Sequence, residues 1–285
     1  MNIYPMAQKP PIRIEAPFLG ISKPATFIFL HGYGDDAEGW ISETSSSFYP
    51  CSSHCRVRSI TLSQLTYIHP DIAQQFHSAN KLPHLSWVFP NAPHNHEAMT
   101  NAWHTPTSFS PIPVGRSNSS ESKEDDEEFA EEGEEEILQS VEYLCGLIDE
   151  EVKRGVDIKR IVIGGFSQGC AVSLCTALGS RYGGRIGGVV GLSGYLPRGK
   201  KLRREREGFV GVRDGETGDK MRVFIGHGTR DMLVPMRVFR DAKSRVEKVV
   251  GEEVMECREY EGMGHVTSGG EFRDMCGFLE KVVPG

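Results

Sequence analysis

The stretch Ile161-Val162-Ile163-Gly164-Gly165-Phe166-Ser167-Gln168-Gly169 constrains this chain more than any other part of it. Its short apolar run predicts a buried strand, and the small apolar residues over 168–178 predict a buried helix. Between the two, Gly165-Phe166-Ser167-Gln168-Gly169 spells G-x-S-x-G, the pattern of a serine held on a sharp strand-to-helix turn. The glycines answer a steric demand. Such a turn puts Ser167 at strained backbone angles, and bulky side chains two residues away would clash. The hydroxyl then projects above a sheet, and the helix N-terminus offers N–H groups to developing negative charge. A glycine-rich loop without chemistry would carry the same five letters, so the partners of Ser167 decide.

A serine hydroxyl is a weak nucleophile until a base takes its proton. In a strand–turn–helix context of this kind the partners follow in the order Ser, Asp or Glu, His. The run 221–225 leads into Gly226-His227-Gly228-Thr229-Arg230-Asp231, and the run 254–260 leads into Glu261-Gly262-Met263-Gly264-His265. Both are loops at the carboxyl ends of strands, where open α/β sheets assemble their sites. Ser167 is therefore expected as nucleophile, His265 as general base and Asp231 as the acid that orients it. His227 precedes Asp231 and is read as support for the loop. Upstream, Phe29-Leu30-His31-Gly32-Tyr33-Gly34-Asp35 closes another strand with glycines that let backbone approach a substrate. The N–H groups of Tyr33 and Gln168 are the expected oxyanion donors, and His31 is read as a structural hydrogen-bonding residue.

Elsewhere strands are expected at 25–30, 85–89, 160–164, 186–192, 221–225 and 254–260. Helices are expected over 137–152, closed by Gly155, and at 168–178, 235–250 and 271–282. Repeated β-then-α units predict an α/β fold, a mostly parallel central sheet with helices on both faces. The length suits a single domain over 1–285, with irregular insertions at 41–71 and 115–136. Residues 41–71 show neither a period of 2 nor one of 3.6 over any useful length. Residues 117–136 are dominated by acids, which self-repel and predict a disordered loop or a docking site for a basic partner. The last glutamates fit the positive end of the helix that begins near Ile137.

Bulk properties exclude several classes. A net charge of −7 argues against a nucleic-acid partner. No apolar stretch reaches transmembrane length, and no secretory leader is read at the N-terminus. Asn at position 2 excludes N-myristoylation, and the end Val-Val-Pro-Gly is no prenylation box. The seven cysteines are odd in number and mostly in apolar surroundings, so they are read as reduced residues of a cytoplasmic, or cytoplasmic and nuclear, protein. Cys51-Ser-Ser-His54-Cys55 offers half a zinc site without a second pair, so neither metal nor cofactor is expected.

The motifs together resemble one family, the acyl-protein thioesterases within the phospholipase/carboxylesterase group of α/β hydrolases. The matching stretches are Phe-Leu-His-Gly-Tyr-Gly-Asp (29–35), Pro-Asn-Ala-Pro (90–93), Gly-Gly-Phe-Ser-Gln-Gly (164–169), Leu-Ser-Gly-Tyr-Leu-Pro (192–197), Gly-His-Gly-Thr-Arg-Asp with Leu-Val-Pro (226–235) and Tyr-Glu-Gly-Met-Gly-His (260–265). The resemblance implies the α/β-hydrolase fold, a triad of Ser167, Asp231 and His265, and oxyanion N–H groups at Tyr33 and Gln168. It also puts Trp103 beside the acyl chain of a substrate. The implied substrates are fatty acyl thioesters or esters, S-palmitoyl proteins first, with lysophospholipids or small carboxylic esters as alternatives and transient contact with membrane surfaces. A reading of another class is a catalytically silent binding protein on the same fold. The acidic run, the polar loop 198–219 and the missing N-terminal acylated cysteine depart from the family's pattern.

The family does not account for 41–71 either. Removing it would join Gly39-Trp40 to Ile72-Ala-Gln-Gln-Phe76 and restore helical apolar spacing, as expected for a lineage-specific loop or a retained intron. Loop-closure entropy grows slowly with length, so such a segment costs little stability. A chain joining Trp40 directly to Ile72 is expected to be soluble and at least as active as the full chain. Limited proteolysis of the full chain is expected to cut first here or in the acidic run. Unfolding of the shortened chain, or loss of its activity with the fold kept, would make the segment part of the site.

Overall fold

A computed structural model describes residues 8–17, 23–41, 72–105, 133–197, 204 and 220–285. Most of the expected insertion at 41–71, the acidic run up to residue 132, most of the loop 198–219 and the Cys51-His54-Cys55 group lie outside the described residues. In chain order the elements are β1 (Ile12–Ile14), β2 (Ala25–Leu30), α1 (Ile72–Ser78), β3 (Leu85–Phe89), β4 (His94–Asn95), β5 (Thr100–Asn101) and α2 (Glu134–Lys153). They continue with β6 (Ile161–Phe166), α3 (Gln168–Gly179), β7 (Gly188–Leu192), β8 (Arg222–Gly228), α4 (Met236–Val250), β9 (Met255–Tyr260) and α5 (Gly269–Val282).

The central sheet has seven strands in the order β1-β3-β2-β6-β7-β8-β9. Only β1 runs antiparallel to its neighbour; the other pairings are parallel. Strands buried on both faces explain the continuous apolar runs of the sequence. Alternate residues divide between two cores of different character. Ile28, Leu30, Ile161, Ile163, Val189, Val223 and Ile225 face a mostly aliphatic cluster with α2, α3 and α4. Phe27, Phe29, Trp87, Phe89, Val162, Val190 and Phe224 face an aromatic-rich cluster with α1 and α5. Trp40 and Ile72, the two ends of the 41–71 segment, bury in that second cluster together.

The strand order places the site. From β2 the chain moves out to β3, then returns to β6 on the other side of β2 and moves outward through β7, β8 and β9. The direction of winding therefore reverses between β2 and β6, and crevices at such switch points bind ligands. Leu30 pairs with Gly165 at that boundary, so the loops after β2 and after β6 emerge side by side.

Local chemistry explains the helices that pack here. α2 opens with Glu134, Glu135 and Glu136 at its positive end, buries Ile137, Val141, Leu144 and Ile148, and ends just before Gly155. Every residue of α3 is buried, pressed between the sheet and α2, which accounts for its small side chains. Cys145, Cys170, Cys175 and Cys276 are buried, and with half-buried Cys257 they are free thiols. Two features have no counterpart in the sequence reading: edge strand β1 and the β4–β5 hairpin. Strands of two or three residues carry no alternation to read.

One buried group makes the fold sensitive to pH. Glu271, in the first turn of α5, is fully buried against Gly226 of β8, where a Cβ would come within 2.7 Å of its Oε1. Burial pushes its carboxyl up to about 8 from 4.5. The folded state thus favours the protonated acid. Its contribution is fully present below the unfolded value of 4.5 and is lost as pH rises through about 8. Glu271→Gln, neutral throughout, is expected to match wild-type stability at pH 4.5 and to exceed it at pH 8.5 by a few kcal/mol in denaturant unfolding. Parallel pH profiles for the two proteins would contradict the assignment.

Candidate active site

Ser167 occupies the turn between β6 and α3 at φ 55 and ψ −114. Non-glycine residues rarely adopt such angles, and the surroundings hold this one in place. The Ser167 N–H donates to Leu192 O of β7 at 2.9 Å. A Cβ on Gly165 would stand 2.6 Å from Leu30 O, and one on Gly169 would run into Leu30 O and stand 2.7 Å from His31 O. The helix therefore packs onto the end of β2 only because both positions are glycine.

His265 bridges the two other expected site residues. Its Nε2 is 3.0 Å from Ser167 Oγ, and its Nδ1 is 2.7 Å from Asp231 Oδ2. With the carboxylate accepting, Nδ1 carries the proton and Nε2 is left to accept from the serine hydroxyl. Asp231 is buried, and its second oxygen accepts the N–H groups of Leu233 at 2.9 Å and Val234 at 2.8 Å. The Phe166 ring lies 4.8 Å from the imidazole and limits its rotation.

The loops that carry Asp231 and His265 are sewn to each other by backbone. Thr229 N–H donates to Tyr260 O at 3.0 Å and Arg230 N–H to Met263 O at 2.9 Å. Gly262 N–H adds a bond to Thr229 Oγ1 at 2.8 Å. His227 stands behind them: its ring stacks on Phe239 of α4 at 4.4 Å, and Nε2–H donates to Val234 O at 2.8 Å. Burial pushes the His227 imidazole down, so a neutral ring braces the turn that presents Asp231.

The Tyr33 and Gln168 N–H groups flank the serine. Gly32, next to Tyr33, approaches so closely that a Cβ there would lie 3.4 Å from Ser167 Cβ. Gln168 opens α3 directly after the nucleophile. Among the described residues neither amide has a hydrogen-bond acceptor. His31 anchors the first loop: Nδ1–H donates to Gly32 O at 2.7 Å and Nε2 accepts Ala92 N–H at 3.0 Å. Burial lowers its pKa to about 4, so no imidazolium charge competes near the site at neutral pH.

Trp103 lies inside the fold. It is only 1% exposed and packs in the aliphatic core, stacked 6.3 Å from the Tyr143 ring of α2. Its indole N–H donates to His31 O at 2.8 Å. The enclosed ring packs against that of His31 beneath the Tyr33 loop. The sequence reading also passed over the Leu233 and Val234 amides and the Gln168 side chain. Pro235 at the start of α4 signalled a turn just after Asp231, whereas nothing local marks a buried glutamine whose partners lie 64 and 65 residues away.

The arrangement is equipped for acyl transfer: a hydroxyl bonded to an imidazole, a buried carboxylate that orients that imidazole, and two amides without acceptors in the segments beside the serine. Among the described residues no group of His, Cys, Asp and Glu could hold a metal ion. Comparison with known proteins agrees with this chemistry. The sequence profile of the phospholipase/carboxylesterase family matches residues 69–283. Acyl-protein thioesterase 1 of Yarrowia lipolytica is 29% identical over 278 residues, 98% of this chain and 99% of that protein. The protein of the same name from Candida albicans is 30% identical over 271 residues, 95% of this chain and 97% of its own length. The crystal structure of Zea mays acyl-protein thioesterase 2 superposes with a TM-score of 0.63 at 18% identity, covering 96% of this chain and 98% of that one.

Ser167→Ala is expected to keep the fold and to lower turnover of a short p-nitrophenyl ester by a factor on the order of 10⁶. A fluorophosphonate probe is expected to label the full chain at Ser167 and to leave the variant unlabelled. Retention of a tenth of wild-type turnover would remove Ser167 from the nucleophile's place.

Proposed function

The chain belongs to the phospholipase/carboxylesterase family, and on that footing we propose that it is a serine thioesterase that removes fatty acyl groups from proteins. Ser167 Oγ attacks the thioester carbonyl carbon while His265 Nε2 takes its proton. The carbonyl oxygen becomes an oxyanion facing the Tyr33 and Gln168 N–H groups. Collapse breaks the carbon–sulfur bond, and His265 returns the proton to the departing thiolate. Water then attacks the acyl-enzyme with His265 again as base, releasing the fatty acid and restoring Ser167. The observation that carries the reading is the single imidazole bonded to Ser167 at 3.0 Å and to Asp231 at 2.7 Å. That geometry leaves the silent binding-protein reading without its premise, a misplaced triad. Oxygen esters, including lysophospholipids, are open to the same steps.

A fatty chain as substrate has its own support in the surface around the serine. The exposed large apolar side chains include Tyr33, Met99, Met232 and Leu233. Tyr33 is in the loop after β2, Met232 and Leu233 follow Asp231, and Met99 is in the β4–β5 hairpin, which Tyr33 touches through a 3.3 Å bond from its hydroxyl to Ala98 O. Apolar side chains grouped at a site mouth suit an acyl chain and a transient contact with a membrane surface. Among the described residues no helix is long and apolar enough to cross a membrane. A cytoplasmic location belongs to the same proposal, supported by free Cys145, Cys170, Cys175, Cys257 and Cys276.

The test is chain length. Each methylene buried contributes about 0.8 kcal/mol, which corresponds to about fourfold in kcat/KM. Values are expected to climb steadily from acetyl to dodecanoyl thioesters and esters. A flat series would contradict the fatty-acyl assignment while leaving the esterase chemistry intact.

A further inference from the structure

The two candidate oxyanion amides, in the loop after β2 and at the first residue of α3, are far apart in sequence, and one short segment ties their neighbourhoods together. The Gln168 side chain is buried and spans the peptide between Trp103 and His104. Its Oε1 accepts Trp103 N–H at 3.1 Å, and its Nε2–H donates to His104 O at 2.9 Å. The same Trp103 sends its indole N–H to His31 O at 2.8 Å, with its ring 5.1 Å from that of His31. Two residues earlier, Asn101 O accepts Gly34 N–H at 2.9 Å, and Asn101 Nδ2–H donates to Asp35 O at 3.3 Å. The segment is fixed from behind by Ser140 Oγ–H of α2, which donates to Trp103 O at 2.6 Å. Both sides of the serine are thus bonded to residues 101–104, one through a carboxamide and the other through an indole and an asparagine.

We propose that residues 101–104 form a strut that sets the spacing of the oxyanion amides, with the Gln168 carboxamide and the Trp103 indole as positioning residues. The proposal rests on the reading of the Tyr33 and Gln168 N–H groups as oxyanion donors. Neither side chain touches substrate. Gln168 has two parts with separate tasks: its amide N–H faces the reacting oxygen, and its side chain holds that amide in place. Trp103 fixes His31 O, two residues before Tyr33, so the first donor cannot drift from the second. Amides held at fixed separation stabilise charge only where it develops, in the tetrahedral intermediate, and a misplacement of about 1 Å costs on the order of 10²-fold in rate. The bonds of the Gln168 carboxamide and the Trp103 indole are main-chain directed and buried, so they lose little to competition with water.

The test uses the full chain with Gln168→Ala, Trp103→Phe and the double variant. Trp103→Phe keeps a flat ring and removes the indole donor. Three quantities are read: kcat and KM for a dodecanoyl thioester, the inhibition constant of a long-chain trifluoromethyl ketone, and fluorophosphonate labelling. The ketone forms a tetrahedral adduct whose oxyanion needs both amides. Each single variant is expected to lose about 10- to 100-fold in kcat, with KM within about twofold. Ketone affinity should weaken by the same factor as kcat/KM. The double variant should lose less than the product of the singles, because both act on one strut. In the wild type, the Trp103 indole proton should exchange slowly with solvent.

Folded variants with wild-type kcat and ketone affinity would overturn the proposal, as would a loss confined to KM. A fast-exchanging indole proton in the wild type would also overturn it. If neither single variant folds, Trp103 and Gln168 are props of the fold and the strut has no separate role in the reaction. Failure of the parent reading looks different: the wild type itself would then show no ketone inhibition.

Discussion

The close approach of α3 to the end of β2 is the constraint from which the rest of this site follows. Leu30 pairs with Gly165 across the sheet, and Gly169, the second residue of the helix, lies against Leu30 O and His31 O. With no Cβ at either glycine the helix starts directly over the strand end. That contact forces Ser167 to a positive φ and lifts its hydroxyl out of the sheet. It also brings the N-terminal amide of the helix beside the loop that follows β2. The nucleophile and both candidate oxyanion donors are thus consequences of one backbone packing event at the place where the strand order reverses.

The base arrives from the opposite side by different means. The loops after β8 and β9 fix His265 by bonding to each other through Thr229, Arg230, Tyr260 and Met263. Electrostatics are kept simple around this pair. His31 and His227 are both buried, and burial lowers both pKa values, so His265 is left as the imidazole bonded to the carboxylate of Asp231. A protonated His227, 3.7 Å from Asp231 Oδ2, would compete for that carboxylate and weaken its hold on His265.

How much of this was legible depended on the range of the forces involved. The parallel sheet and its covering helices were readable because β2, β6, β7 and β8 carry short apolar runs and α2 repeats with a helical period. Ser167, Asp231 and His265 stood out because each lies in or beside a glycine-containing loop after an expected strand, in the order Ser, Asp, His, and the structure brings the three within hydrogen-bond reach. Trp103 was assigned by resemblance to an acyl-chain wall, and the structure encloses it. A tryptophan's partner cannot be read from neighbouring letters when it is the carbonyl of His31, 72 residues away. Edge strand β1 escaped for a related reason: it is held by pairing with β3 and gives no signal in three residues. The segment after Ile41 lies outside the described residues, yet its two ends meet in one core, as Trp40 and Ile72 share the aromatic cluster.

The same division separates chemistry from specificity. The turn at Ser167 is held by main-chain contacts at Gly165 and Gly169 in which an added methyl group would clash, so the reacting geometry tolerates little variation there. The apolar side chains at the mouth are held differently. Met99 is 78% exposed and Met232 74%, so exchanging either removes little buried packing. Sequence change at these exposed side chains therefore disturbs little of the packing that fixes the elbow. The Asp231 loop joins the two regimes. Its carboxylate is buried and bonded three times, while the next two residues, Met232 and Leu233, face outward. Substitution at Leu233 leaves its N–H bond to Asp231 in place, because the bond is made by the backbone. Exposed side chains can thus change within two residues of Asp231 without moving the acid that orients His265.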